Sequence, residues 1–154
     1  MFVSAQSGLA ELALSGCSLS ADHQYIFPND VKMEHAINGA ESIGVRFHAT
    51  RGAMSVGESN GGLPPDSLVE KESDILNDFE RVISQLHDPS QNAMVQVGLA
   101  PCSPFTVSEG LMRDTAVLAL DKNVMLHTHL AENDEDIAYS LEKFGCRPGE
   151  YAER

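Results

Sequence analysis

The chain is short of positive charge. Ten Lys and Arg stand against 23 Asp and Glu in 154 residues, a formal net charge of −13. A field of that sign repels phosphate backbones and anionic lipid surfaces, so no nucleic-acid partner and no membrane partner is expected. Cysteine is scarce as well. Cys17, Cys102 and Cys146 are odd in number and widely spaced, with no C-x-x-C pair to suggest a structural zinc or redox site, and a reducing compartment is the natural home. No apolar run approaches the ~20 residues of a membrane helix. The opening MFVSAQSGLAELALSGC lacks the basic and long apolar regions of a secretory signal. A soluble, cytoplasmic protein is the expectation.

What is present suits a folded domain. The length lies in the single-domain range, 42 % of residues are hydrophobic and 21 % charged, which argues against disorder. The acidity then reads as a solvated surface, compatible with neutral or cationic ligands.

Hydrophobic spacing alternates between helical and extended periods. Leu9, Leu12 and Ala13 fit a short helix closed by Gly16. A strand over Cys17 to Phe27 follows. Asn29 is placed to cap a helix carrying Met33, Ala36, Ile37 and Ala40, ended by Gly44. Val45, Phe47 and Ala49 alternate with Arg46 and His48 as a second strand, which runs into a long Gly-, Ser- and Pro-rich loop from Arg51 to Pro65. Ser67 and Glu70 have capping-box spacing before the stripe Ile75, Leu76, Phe79, Val82, Ile83 and Leu86. Met94 to Leu99 reads as a buried strand. Thr106 and Glu109 again have capping-box spacing for a helix over Val107 to Leu120. Val124 to Leu130 is the last strand, and Asn133 caps a helix that opens on Asp134, Glu135 and Asp136 and turns Ile137, Leu141 and Phe144 to the core. Gly145 ends it, and CRPGEYAER carries no further element. Four strand-then-helix units imply an α/β fold with parallel strands and crossover helices. A small doubly wound domain and a piece of a larger barrel both fit. The glycine pattern that cradles phosphates is absent from every strand-to-helix turn.

Chemistry concentrates where the Val124 to Leu130 strand ends. In parallel α/β folds the functional face lies at the carboxyl ends of the strands, and His127 and His129 fall there on one side of the strand. His129 can offer a neutral imidazole nitrogen to a divalent metal. Glu132, three residues on, can reach a proton in the site without ligating, and a metal so held acidifies water toward neutrality. Two histidines at a strand end equally fit hydrogen-bonded pocket residues, and zinc sites need three or more protein ligands. Spacing leaves both readings open. His23, His35, His48 and Glu58 are further candidates that no spacing groups, with His35 and His87 expected at the surface.

Three stretches carry a family resemblance: LHTHLAEN at 126–133, LAPCSPFTVSEGLM at 99–112, and RFHATRGAMSVGESNGGLPPDS at 46–67 together with SGCSLSADHQYIFP at 15–28. With them the sequence resembles the amidohydrolase superfamily of metal-dependent (β/α)8-barrel hydrolases, within it the aminohydrolases of purines and triazines. It is most similar to deaminases of oxidised purines such as 8-oxoguanine. The similarity runs over nearly the whole chain.

The resemblance implies a partial TIM barrel, about strands two to five with their helices, and makes residues 1–154 an internal fragment of a longer barrel enzyme. No counterpart of the family's first-strand H-x-H pair, sixth-strand histidine or eighth-strand aspartate is found. His129 is implied as a metal ligand and Glu132 as the general acid/base. His127 is left to line the pocket or support a ligand. Cys102 and Ser103 are implied substrate contacts, with Arg51 and Glu58 as further candidates in the loop. Guanine deaminases carry Pro-Arg-Phe where this chain has Pro101, Cys102 and Ser103, so guanine itself is not implied. The cofactor would be one divalent ion, zinc or iron. The substrates would be water and a small heterocyclic amine, 8-oxoguanine giving ammonia and urate, with a triazine, a pterin or a non-catalytic truncated product as alternatives. The full-length protein would be a homo-oligomer, and the fragment alone inactive, poor in zinc and prone to aggregate.

Overall fold

Three parallel strands, β1 (Leu19–Ala21), β2 (Arg46–Ala53) and β3 (Val95–Pro101), pair in the order β1-β2-β3 in the computed structural model, which describes residues 1–154. Parallel pairing needs a crossover between neighbours. Helix α2 (Met33–Ile43) links β1 to β2 and α3 (Glu72–Leu86) links β2 to β3, while α1 (Phe2–Leu14) precedes them. Helix α4 (Glu109–Lys122) follows β3 and leads into the segment at 124–130. Alternation sends Phe47 and Ala49 of β2 and Val95 and Val97 of β3 into a core with Met33, Ala36, Ile37 and Ala40 of α2. Further along, Ala53 and Leu99 meet Ile75 and Phe79 of α3 and Leu111 and Ala119 of α4. By the same alternation His48, Thr50, Gln96 and Gly98 belong to the opposite face. Helices on one face of a parallel sheet are the wall of a barrel.

The expected fourth strand is reduced to one parallel bridge, Leu99↔Leu126. The Leu99 amide donates to Met125 O and the His127 amide to Leu99 O, each at 2.9 Å. A regular ladder would next send the His129 amide to Pro101. It donates to Cys102 O instead, at 2.9 Å, so one extra residue of the β3 end is taken up and regular pairing breaks.

Other boundaries move for local reasons. β1 stops at Ala21 rather than Phe27 because the next residue turns its side chain into the ladder. The Asp22 carboxylate accepts the Thr50 amide at 3.2 Å, and pairing resumes only at the Gln24↔Arg51 bridge. Asn29 does not cap α2; Asn29 and Asp30 take left-handed φ of 53° and 60° in a turn, and the helix starts after Lys32. β2 runs four residues past Ala49, so Arg51 lies in the sheet and the loop starts after Ala53. That loop holds two 3-10 turns, Glu58–Asn60 and Asp66–Leu68. Neither expected capping box forms there or before α4. Ser67 lies in the second 3-10 turn and Glu70 is drawn to Arg51. Ser108 rather than Thr106 caps α4, accepting the Leu111 amide at 3.0 Å.

Helix α5 (Asp134–Phe144) begins at Asn133 as expected, its side chain accepting the Glu135 and Asp136 amides. Its apolar face does not reach the core. Leu141 is 48 % exposed, Ile137 and Phe144 are half-buried, and only Ser140 is fully covered. Phe144 instead stacks on Tyr151, with ring centroids 4.3 Å apart, in an unexpected short helix α6 (Pro148–Ala152). No helix is long and apolar enough to cross a membrane.

Candidate functional site

Three histidines and a cysteine from separate segments meet where the strands end. His23 follows β1 by two residues, Cys102 follows β3 directly, and His127 and His129 close the 124–130 segment. The His23 ring stacks on His129 with centroids 4.5 Å apart and meets His127 edge-on at 4.7 Å. One donor atom from each of His23, Cys102 and His129 lies within 4.8 Å of the others.

The His129 ring is fixed from behind. Its Nδ1 lies 2.9 Å from the Cys102 carbonyl, an oxygen that only accepts, so Nδ1 carries the hydrogen and Nε2 keeps its lone pair. This carbonyl contact is how ligating imidazoles are commonly oriented. His23 is the converse case: both its ring nitrogens are buried and lack a hydrogen-bond partner. Burial, then the neighbouring His129 and His127, lower its pKa to about 4, which keeps the ring neutral. A neutral ring offers the lone pair of one nitrogen, and His129 offers that of Nε2, donors that fit a divalent ion. Burial also raises the Cys102 thiol pKa, and it lowers that of His48, with help from His127 and His87.

Glu132 owes its place to the start of α5. The Asp136 carboxylate accepts the Glu132 amide at 2.8 Å and the Asn133 amide at 3.4 Å, which pins the backbone just before the cap and leaves the Glu132 side chain exposed. Glu132, His129, Cys102 and Ser103 line one cavity of about 310 Å³. Tyr25, Met54, Leu63 and Pro64 form other walls. The Ser103 hydroxyl is engaged in its own turn, 3.1 Å from the Thr106 hydroxyl and accepting the Phe105 amide at 3.3 Å.

Two loop candidates are not brought to this cavity. Arg51 is 2 % exposed within β2. Its guanidinium holds Glu70 at 2.7 and 3.0 Å and Asp78 at 2.7 Å, over the Phe27 ring at 4.1 Å. Asp78 also receives Arg81 at 2.6 Å, and Arg81 reaches Glu34 at 2.6 Å. Burial favours the neutral Asp78 carboxyl, but the Arg51 and Arg81 guanidiniums outweigh it and hold its pKa below the usual range. Arg51 thus ties the loop after β2 to α3. Glu58 is exposed in its 3-10 turn. His35 accepts the Lys32 amide at 3.2 Å and His87 accepts the Val97 amide at 3.0 Å, and both are half-buried rather than at the surface.

Sequence reasoning named His23 only as a candidate that no spacing groups and missed Tyr25, placing both inside a strand. The signal was present: a strand ending at Ala21 puts the run Asp22, His23, Gln24, Tyr25 on the functional face. Gly52 lets that run come close. Its amide donates to Gln24 O at 2.6 Å, and a Cβ on it would meet that oxygen and Tyr25 Cβ, each at 2.6 Å.

The Amidohydrolase family profile matches residues 2–154. An 8-oxoguanine deaminase of Pseudomonas aeruginosa is 45 % identical over 145 residues, 93 % of this chain and 32 % of its own length. A hydroxydechloroatrazine ethylaminohydrolase of a Pseudomonas species is 34 % identical over 94 % of this chain and 30 % of its own. Among solved structures, an atrazine chlorohydrolase of Arthrobacter aurescens, crystallised with zinc, superposes with a TM-score of 0.90 at 33 % identity, over 97 % of this chain and 33 % of that one. The chain spans about a third of the length of these relatives.

Proposed function

The chain belongs to the amidohydrolase family, and from that premise we propose that it is an internal segment of a hydrolase that deaminates an oxidised purine such as 8-oxoguanine, giving urate and ammonia. One observation carries the reading: the Cys102 carbonyl holds Nδ1 of His129, leaving Nε2 free, in a cavity shared with Glu132 three residues on. The size of the piece is supported by its spanning about a third of each relative.

A divalent ion on His129, zinc by preference and iron as the alternative, would supply Lewis acidity and an activated water when bound. Glu132, facing the cavity, is placed to take a proton from the attacking water and deliver it to a ring nitrogen of the base, then to assist proton transfer to the departing amine. In balance, the C–NH2 bond breaks, a C–O bond forms, and one water yields the carbonyl product and ammonia. Cys102 and Ser103 contact the base from the floor, Tyr25 and Leu63 from its sides, and His127 packs against His23 to hold the histidine group together. The active species is the full-length oligomer in a reducing cytoplasm, where Cys17, Cys102 and Cys146 stay free thiols.

Ammonia release from 8-oxoguanine by the full-length protein tests this. Turnover of a hydroxytriazine or a pterin, with none of 8-oxoguanine, assigns the site to a sibling aminohydrolase. Loss of all deamination by a metal-replete enzyme overturns the reading.

A further inference from the structure

The Glu132 side chain is exposed, and its carboxylate makes no hydrogen bond or ion pair within the chain. Its place in the cavity therefore depends on its backbone. We propose that Asp136 is a positioning residue for the deamination: its carboxylate holds the Glu132 backbone and so sets where the Glu132 carboxylate meets water and base. The inference rests on the reading of Glu132 as the general acid/base.

Two observations support it. The 124–130 segment makes its last backbone bond to the sheet at the His129 amide, and Leu130 and Ala131 follow without one. The Glu132 amide, donating to Asp136 Oδ2 at 2.8 Å, is the next anchor along the chain. The second observation is that this bond exceeds what a helix cap requires. A capping box needs the third helical residue to reach back to the N-cap amide. Asp136 does so to Asn133 at 3.4 Å, but the same oxygen takes the shorter bond from Glu132, one residue before the cap.

Asp136 is itself fixed. Its amide donates to Asn133 Oδ1 at 3.1 Å, and it is half-buried in the wall of the cavity that Glu132 and His129 also line. An ionised acceptor strengthens bonds of this kind. Helix α5 thus reaches back four residues through one carboxylate and carries Glu132 as part of its first turn. A displacement of about 1 Å at a reacting group costs on the order of 10²-fold in rate, so the hold bears on turnover as well as on the helix.

Steady-state kinetics of the full-length, metal-loaded enzyme tests the role with three variants. Asp136→Ala should lower kcat by roughly 10- to 100-fold, with KM and metal content unchanged. Asp136→Asn keeps an acceptor oxygen in place and cannot carry a proton, so it should retain most of the rate. Glu135→Gln removes an exposed carboxylate from the same turn and should leave kcat unchanged. Amide hydrogen exchange reads the hold without turnover: the Glu132 amide should be protected in the unsubstituted and Asp136→Asn proteins and exchange freely in Asp136→Ala, with the rest of α5 still protected. Unchanged kcat in Asp136→Ala, equal loss in Asp136→Asn or Glu135→Gln, or equal Glu132 exchange in all the proteins overturns the proposal and leaves the deaminase reading standing. An unsubstituted enzyme that releases no ammonia from any heterocycle fails that reading instead, and takes the catalytic role of Asp136 with it.

Discussion

The carbonyl oxygen of Cys102 accepts two hydrogens from His129, the backbone N–H and the ring Nδ1–H, each at 2.9 Å. The imidazole is thereby committed to the Nδ1–H tautomer before any ligand arrives. Nitrogen NMR of the metal-free chain should find the hydrogen of the neutral His129 ring on Nδ1. A neutral ring with its hydrogen on Nε2 would contradict the geometry.

Glu132 faces the cavity from an exposed position just before α5. In the full-length enzyme Glu132→Gln should keep metal content and substrate affinity while kcat falls by about 10²- to 10⁴-fold, the usual weight of a positioned acid/base. Steady-state kinetics with elemental analysis check it, and an unchanged kcat would remove Glu132 from proton transfer.

Arg51 is buried with Glu70 and Asp78 as its counter-charges. Arg51→Met should destabilise the chain by about 3 kcal/mol, because partly buried Glu70 loses its cation and Asp78 keeps only Arg81. Arg51→Lys should recover little, since an ammonium cannot make the forked contact to Glu70. Urea midpoints of the three proteins measure both effects.

At Gly52 an added methyl meets Gln24 O and Tyr25 Cβ at 2.6 Å, whereas at Gly8 it meets nothing within 4 Å. Gly52→Ala should therefore cost about 2 kcal/mol and displace Tyr25. Gly8→Ala, inside α1, should gain about 0.5 to 1 kcal/mol. Opposite signs from one substitution type make denaturant unfolding a sensitive check.

His23 and Asp22 pull stability in opposite directions with pH. The His23 pKa is lowered to about 4, first by burial. Between about 4 and its usual ~6.5 the unfolded chain holds the extra proton, so this residue makes stability rise with pH. The Asp22 pKa is raised to about 6 by burial. Between its usual ~3.9 and about 6 the folded chain holds the extra proton, and stability falls as pH rises. Across that window the unsubstituted chain should vary little. Asp22→Asn should become more stable from about pH 4.5 to 6.5 and His23→Gln less stable. Parallel curves for all three would refute the opposition.

The layout of strands and helices was legible because burial periodicity is local. The stripe from Ile75 to Leu86 became α3, and Asn133 became a helix cap, as their spacing implied. The resemblance likewise led to an amidohydrolase barrel wall. What spacing did not carry was partner choice. Arg51 read as a loop charge because its counter-ions, Glu70 and Asp78, are 19 and 27 residues away. His23 stood alone for the same reason: its neighbours His127 and His129 lie over 100 residues on, brought close only by the parallel order of the strands. Phe144 looked like core because the sequence gives no sign that Tyr151 waits in a short helix beyond it.

The break in pairing between β3 and the 124–130 segment has an energetic meaning. That segment is tied to the sheet by a few backbone bonds, through Leu99 and Cys102, and it carries His129. An ion that binds His129 only when the segment is docked adds its binding free energy, RT ln(1 + [L]/Kd), to the docking equilibrium. Affinity for the ion and order in the segment are then one quantity seen from two sides, and a change in the β3 end that loosens the Cys102 carbonyl lowers both together.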